Sequence, residues 1–146
     1  MEIRNLIIGM DIGRKESQIC YYEKGTQDAV SAPVKVGSAR SAFPTVLSRI
    51  PDTGEWHYGL EAEFFAEQKN GVLIDQLYDL CADGNSCFVD GEEYSGGDLL
   101  AVFLQKALTM LGVTGPERQV DGMMITVPSL TKPFVRAIRT AYEKLS

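Results

Sequence analysis

The stretch from Asn5 to Gly25, NLIIGMDIGRKESQICYYEKG, combines an apolar run, one acid and a short basic corner. Its first part, NLIIGMDIG, predicts a buried β-strand, and SQICYYEKG predicts a second strand with a partly alternating pattern. The GRKE segment between them is short enough to connect two antiparallel strands. The stretch therefore predicts a β-hairpin, with Asp11 at the end of its first strand.

Asp11 has two interpretations, and the residues alone leave both open. In the structural interpretation it accepts hydrogen bonds from the following turn, where Gly13 supplies an unusual backbone conformation. In the functional interpretation the turn lies under a polyphosphate. Backbone N–H groups of Gly13 to Lys15 then bind the anion, and Asp11 holds a hydrated magnesium ion.

The composition limits the classes of function. The 146 residues, 45% hydrophobic and 23% charged, are typical of one globular domain. A net charge of -6 without a long Lys/Arg cluster argues against nucleic-acid or anionic-membrane partners. The sequence also has no apolar run long enough to span a bilayer and no signal-peptide pattern at its N-terminus, so we expect a cytoplasmic protein.

The cysteines and the single histidine give little support to other chemistries. Cys20, Cys81 and Cys87 form no CxxC pair, which favours reduced thiols over a disulfide framework or a zinc module. His57 lies between aromatic residues in GEWHYG, a position that favours a packed or edge histidine over a catalytic one.

Further strands are predicted before Leu60, and helices become frequent after it. Strands are predicted at AVSAPVKVG and in a second hairpin, TVLSRI and EWHYG, around the turn PDTG. LEAEFFAEQKNG predicts a helix that ends at Asn70 and Gly71. VLIDQLYDLCADG is compatible with a strand or a helix, and SCFVDGEEYSG contains an Asp-Gly turn signal.

The most strongly predicted helix is SGGDLLAVFLQKALTMLG. Ser95 is a good N-cap, Asp98 completes an imperfect capping box, and Gly112 ends the helix. One face carries the apolar residues Leu100, Phe103, Leu104, Ala107 and Leu111.

The last section predicts a strand followed by a helix. MMITVP predicts a strand covered on both faces and ended by Pro128. TKPFVRAIRTAYEKLS predicts a helix with Thr131 as N-cap and an apolar stripe at Val135, Ile138, Tyr142 and Leu145. Because this stripe reaches the last residues, we expect the sequence to be part of a longer chain.

The order of these motifs resembles the N-terminal part of the nucleotide-binding domain of DnaK-like heat-shock chaperones. These belong to the actin-like ATPase superfamily, together with actin and the sugar kinases. IIGMDIG resembles the first phosphate motif, and AFPTVLSRIPDTGEWHYGLEAE resembles Pro-Ser-x-Val, a hairpin and Gly-x-x-Ala. YSGGDLLAVFLQKALTMLG resembles the next helix, and DGMMITVPSLTKPFVRAIRTAYEKL resembles Ile-Thr-Val-Pro-Ala followed by a helix with an inward arginine. The resemblance spans essentially the whole chain.

The resemblance implies an α/β, RNase H-like fold, which is a mixed sheet flanked by helices. The first three strands would be antiparallel, and the MMITVP strand would lie beside the first strand. Residues 1–146 would form the first lobe, the N-terminal half of an actin-like ATPase nucleotide-binding domain. A small α+β insertion subdomain would span approximately residues 39–112.

The resemblance also implies a set of site residues and cofactors. Asp11 would bind Mg through water, and the nucleotide phosphates would contact Gly13, Arg14 and Lys15. Pro128 and Arg136 would match the family's switch, which relays nucleotide state. Pro128 is interpreted equally well as a simple strand terminator. The cofactors would be ATP or ADP with Mg.

Two departures from the family pattern bear on catalysis. Arg14 and Lys15 replace small hydroxyl residues, and Glu63 replaces the lysine that orients the attacking water and the γ-phosphate. A negative charge there should weaken hydrolysis by repelling the phosphate. The basic corner either compensates for this charge or is a solvated turn. The catalytic residues are therefore unknown, and we expect no ATPase activity from these residues alone.

Three functions are compatible with these features. The first is the ATP-binding lobe of a chaperone-like ATPase, whose client peptides or co-chaperones would bind elsewhere in a longer protein. The second is a non-catalytic interaction module, a pseudo-ATPase, which Glu63 favours. A sugar kinase of the same superfamily is the third. An uncovered sheet edge also predicts self-association of the fragment.

Overall fold

A computed structural model describes residues 4–25, 28–31, 41–112 and 118–145. In chain order its elements are β1 (Arg4–Ile12), β2 (Glu16–Glu23), β3 (Asp28–Ser31), β4 (Phe43–Pro44), β5 (Leu47–Arg49), β6 (Trp56–Tyr58), α1 (Gly59–Gln68), β7 (Val72–Ile74), α2 (Leu77–Asp83), β8 (Ser86–Val89), β9 (Glu92–Ser95), α3 (Gly96–Leu111), β10 (Arg118–Thr126) and α4 (Lys132–Leu145).

The main sheet is mixed, with the strand order β10-β1-β2-β3 and with β4 paired to β2. Strands β1 and β2 form the predicted antiparallel hairpin, in which Asp11 lies opposite Gln18. Strand β10 pairs in parallel with β1, so that Asp11 also lies beside Thr126. The predicted fold class, a mixed sheet flanked by helices, is confirmed.

The two faces of this sheet have different environments. Alternate residues of β1 are buried in the same apolar core as the inner faces of α3 and α4, namely Leu6, Ile8, Met10 and Ile12. The opposite surface, here called the open sheet face, carries Ile7, Gly9, Asp11, Gln18, Cys20, Met124 and Thr126. Met124 is 68% exposed on it. The prediction that MMITVP is covered on both faces is therefore wrong, because only alternate residues face the core. Self-association through exposed apolar surface stays a prediction.

Five short strands, β5 to β9, lie between β4 and β10 in the sequence and form two further units. Strands β6-β5-β7 form one antiparallel sheet, and β8 and β9 form a hairpin whose turn residues Asp90 and Gly91 both have positive φ. Arg49 of β5 connects the two units, because it donates a hydrogen bond to the hydroxyl of Tyr94 in β9. Its guanidinium carbon also lies 5.2 Å from the centre of the Trp56 ring in the neighbouring strand β6. These strands lie within the range predicted as an insertion subdomain, a division that stays a prediction.

Helix α3 forms as its sequence predicts. The amide of Asp98 donates to Ser95 Oγ at 3.1 Å, and the amide of Ser95 donates to Asp98 Oδ2 at 3.0 Å, which completes the capping box. Gly112 ends the helix with a φ of 79°. Every residue of the predicted apolar face is buried in the core.

The buried face of helix α4 overlaps the predicted one only in part. Val135 and Tyr142 are exposed, whereas the buried residues are Phe134, Ala137 and Ala141. Helices α3 and α4 approach closely, since a Cβ atom added to Gly97 would lie 2.7 Å from Cβ of Thr140. The small alanines suit this short separation and lie at the centre of the buried face, and of the predicted stripe only Ile138 and Leu145 pack against the core, where both are half-buried.

Two other predicted segments each contain a strand. Strand β3 ends at Ser31, and the rest of the predicted AVSAPVKVG strand lies outside the described residues. VLIDQLYDLCADG contains both a strand and a helix, β7 and α2. No helix in the described ranges has the length and apolar character needed to cross a membrane.

Candidate functional site

The corner between β1 and β2 contains Gly13, Arg14 and Lys15. Gly13 N–H donates to the carbonyl of Glu16 at 2.9 Å, and the Lys15 carbonyl accepts from the Thr45 amide at 2.9 Å. Within the described parts of the chain, the N–H groups of Arg14 and Lys15 have no backbone acceptor. Two N–H groups are thus available for an anion, and not the three that the sequence predicted.

Gly13 is required by a close approach of the backbone. A Cβ atom added there would lie 2.5 Å from the carbonyl oxygen of Glu16. Gly13 does not have a positive φ, so a left-handed conformation is not the reason for the glycine. The glycine is needed because the hairpin closes tightly around it.

Replacement of Gly13 by alanine is expected to lower the free energy of unfolding by about 1–3 kcal/mol, since the added Cβ must displace backbone atoms. Gly25→Ala is the control, because an added Cβ there meets no atom within 4 Å. Urea denaturation monitored by circular dichroism measures both. Equal stability losses in the two variants would contradict the steric explanation.

Asp11 lies on the open sheet face, where it is exposed. Its Oδ1 accepts a hydrogen bond from the Thr126 hydroxyl at 3.3 Å. Gln18 lies opposite on β2, so the three polar residues form a row across three strands. A shallow pocket of about 250 Å³ adjoins this row and includes Gly9 and Met124 in its lining. The structural interpretation expected Asp11 to accept hydrogen bonds from the following turn. Among the described residues, its hydrogen-bond donor is instead Thr126 on the neighbouring strand β10.

The polar side chains of Asp11, Thr126 and Gln18 are suited to a hydrated magnesium ion. Magnesium is commonly held by one or two carboxylates, with waters and phosphate oxygens completing its octahedron. Asp11 supplies one exposed carboxylate, and Thr126 and Gln18 supply polar groups that can bind coordinated water. Among the described residues, no group of three or more His, Cys, Asp or Glu is arranged to hold a metal by itself. A magnesium ion here would therefore depend on water and on a phosphate ligand.

Arg14 is directed towards α2. Its Nε donates to Asp79 Oδ1 at 3.1 Å, and its guanidinium carbon lies 4.9 Å from the centre of the Tyr78 ring. Neither partner was predicted, because the sequence around α2 was compatible with a strand or a helix. Lys15 is exposed beside Arg14, so the corner presents two cationic side chains.

The junction between β10 and α4 contains Pro128 and is bonded to α2. The Ser129 amide donates to the Tyr78 hydroxyl at 3.1 Å, and Thr131 Oγ1 donates to the Ala82 carbonyl at 2.7 Å. Thr131 Oγ1 also accepts from the Phe134 amide at 3.2 Å, which confirms it as the N-cap of α4. Pro128 thus lies in a segment that α2 holds at two points.

Arg136 and Glu63 lie outside the pocket beside Asp11. Arg136 lines a different pocket of about 280 Å³, together with Gly84, Ser95 and Pro133. Glu63 is exposed on α1. The structure therefore brings Asp11 together with Thr126 and Arg14 together with Asp79, and the roles predicted for Arg136 and Glu63 stay predictions.

The histidine and the cysteines agree with the sequence interpretation. His57 stacks on Phe65 with ring centres 4.3 Å apart, and its Nδ1 lies 3.1 Å from Glu61 Oε1, as expected of a packed histidine. The three cysteines are free. Burial raises the pKa of the Cys81 thiol to about 12, so Cys81 is protonated and unreactive at neutral pH.

A solved structure has the same kind of fold. The non-polymerising MamK mutant bound to AMPPNP matches 99% of this chain with a TM-score of 0.63 and 13% sequence identity. MamK is an actin-like ATPase, so the match identifies an actin-like fold. The chain spans 39% of the length of that MamK structure. No curated protein matches the sequence significantly.

A family model matches residues 28–146, from the start of β3 through α4. It is described as the C-terminal part of a family of unknown function, DUF5716. The matched range includes Thr126 and Asp79, whereas Asp11 and Arg14 precede it. Since most of the chain is matched, this protein belongs to the DUF5716 C-terminal family.

Proposed function

We propose that this chain is the phosphate- and magnesium-binding lobe of an actin-like ATPase, with ATP or ADP as its ligand. The observation that carries the proposal is the position of the Asp11–Thr126 pair at the end of β1, next to the Arg14 and Lys15 corner. A carboxylate and unpaired N–H groups adjoin each other there, as a magnesium–polyphosphate ligand requires. AMPPNP in the MamK structure supports the choice of nucleotide.

Each residue has a distinct role in the proposal. Asp11 accepts hydrogen bonds from magnesium-bound water, and Thr126 keeps the carboxylate oriented. The N–H groups and side chains of Arg14 and Lys15 contact the phosphate oxygens. Pro128 and Arg136 relay the nucleotide state towards α4.

The proposal assigns residues 1–146 to the first lobe of a longer nucleotide-binding domain, with the insertion subdomain at about residues 39–112. It agrees with the match to 39% of the MamK chain. Phosphoryl transfer requires groups on both sides of the nucleotide, so this lobe by itself should bind nucleotide weakly and not hydrolyse it. Within the superfamily, the FPTVLSRI and ITVP segments favour the DnaK-like chaperone branch over the sugar kinases. Client peptides or co-chaperones would then bind other parts of the longer protein.

A second candidate is a pseudo-ATPase that serves as an interaction module. Glu63 favours it, because this exposed carboxylate stands where the resemblance places a phosphate-orienting lysine. A negative charge at that position repels the γ-phosphate. The two candidates differ in whether the Asp11 pocket binds nucleotide at all.

A nuclear magnetic resonance titration of the ¹⁵N-labelled chain with AMPPNP tests the proposal. With Mg²⁺, we expect saturable shifts centred on the amides of Asp11, Arg14, Lys15 and Thr126, with a dissociation constant of roughly 1 mM, since one side of the ligand is contacted. Without Mg²⁺ the affinity should be lower. Nuclear magnetic resonance detects binding this weak and identifies the residues that the ligand affects.

Lys15→Gln is the test variant, because Lys15 lies in the corner between β1 and β2. Lys106→Gln is its matched control, because Lys106 lies on α3. Lys15→Gln is expected to weaken binding, and Lys106→Gln to leave it unchanged. Shifts that are absent at millimolar AMPPNP, or that cluster away from residues 11–15, would reject nucleotide binding and favour the interaction module.

A further inference from the structure

Arg14 is docked on α2 and not left free in the corner. Its guanidinium donates to Asp79 and lies over the Tyr78 ring, so both of its contacts come from adjacent residues of one helix. The proposed phosphate site is at the backbone of the same residue. One cation therefore has two possible anionic partners, the Asp79 carboxylate and a phosphate.

The ion pair between Arg14 and Asp79 is weak enough for another anion to replace Asp79. The side chains are 64% and 48% exposed, and ion pairs this exposed are weak because water screens them. Asp79 also lies in the first turn of α2, where the helix dipole favours a carboxylate even after its partner leaves. A polyphosphate carries more charge than one carboxylate and accepts bidentate hydrogen bonds from arginine.

Helix α2 connects this pair to the Pro128 junction. Tyr78, beneath the guanidinium, is hydrogen-bonded through its hydroxyl to Ser129, and Ala82 accepts from Thr131. Release of Arg14 removes its contact with the same helix that holds residues 129–131. The corner and the start of α4 are thus linked through one short helix.

We infer that Asp79 is an intramolecular competitor of the ligand phosphate for Arg14. Without ligand, Asp79 and Tyr78 hold the guanidinium on α2, and phosphate binding transfers it from Asp79 to the phosphate oxygens. This inference rests on the proposed function, because it assumes that the corner binds phosphate.

Asp79→Asn tests the competition, with AMPPNP and Mg²⁺ as the probe and affinity measured by the same titration. The variant should bind about two- to fivefold more tightly, the range expected from releasing one exposed ion pair. Asp83→Asn is the matched control, because it removes the same charge from the same helix. In an Arg14→Ala background, Asp79→Asn should have no effect.

A second readout is the Nε–H resonance of Arg14. It should move in Asp79→Asn without ligand, because the Nε–H loses its carboxylate acceptor, and it should also move when AMPPNP is added to the unsubstituted chain. If AMPPNP binds and neither its affinity nor this resonance responds to Asp79→Asn, the competition is wrong and nucleotide binding stands. Equal tightening by Asp79→Asn and Asp83→Asn in both backgrounds would likewise overturn it. If AMPPNP binds neither the unsubstituted chain nor Asp79→Asn, both the inference and the proposed function fail.

Discussion

Replacement of Phe103 by alanine is expected to lower the free energy of unfolding by about 3–5 kcal/mol, which is a large share of the stability of a small domain. Phe103 of α3 is fully buried. Its ring lies 5.8 Å from that of Phe43 on β4 and 5.8 Å from that of Tyr58 on β6. The side chain therefore joins α3 to strands of two different sheets, and its removal leaves a cavity that rigid neighbours cannot fill.

Phe88→Ala is the control for this variant, because the same side-chain atoms are removed from a position that is 70% exposed. Its effect should stay within about 0.5 kcal/mol. Guanidinium chloride denaturation, followed by circular dichroism, gives both values. A Phe103→Ala variant as stable as Phe88→Ala would show that the packing of α3 against β4 and β6 is not the main source of stability.

Asp11→Asn is expected to weaken magnesium–AMPPNP binding by about 10- to 100-fold, since hydrogen bonds to a charged group contribute about 1.5–3 kcal/mol. The asparagine keeps the shape of the side chain and an oxygen that can accept from Thr126. It loses the negative charge that attracts the hydrated metal. Affinity measured without Mg²⁺ should change little, so the variant loses the magnesium dependence itself.

Asp52→Asn is the control, because Asp52 is an exposed acid in the turn between β5 and β6. The AMPPNP titration is repeated with and without Mg²⁺ for each variant, after circular dichroism has verified the fold. Equal losses in Asp11→Asn and Asp52→Asn would indicate a general charge effect. A magnesium dependence that survives Asp11→Asn would remove Asp11 from the metal site.

Local sequence signals predicted most of the fold. The apolar run before Asp11, the Asp90–Gly91 turn and the Ser95–Asp98 capping box each specify structure within a few residues, and all three form. The buried face of α4 was predicted only in part, because it depends on how closely α3 approaches. That distance is set by Gly97 and Thr140, which belong to different helices.

The candidate site was predicted only in part, for the same reason. Asp11 and the basic corner stand out in the sequence because a carboxylate at the end of an apolar strand is costly without a partner. Their partners, Thr126 and Asp79, come from distant parts of the chain. Thr126 is visible in the ITVP segment, but its pairing with Asp11 depends on the parallel register of β10 and β1. Asp79 had no sequence signal, because the pattern did not decide between a strand and a helix.

The Asp11–Thr126 hydrogen bond joins residues 115 positions apart, and this separation has a consequence for the order of folding. The β1–β2 hairpin is local and can form early, whereas β10 must close a long loop before it docks beside β1. The polar row across the three strands is therefore among the last features to assemble. A ligand that requires this row would bind only chains whose β10 has docked, and by mass action it would stabilise them against unfolding.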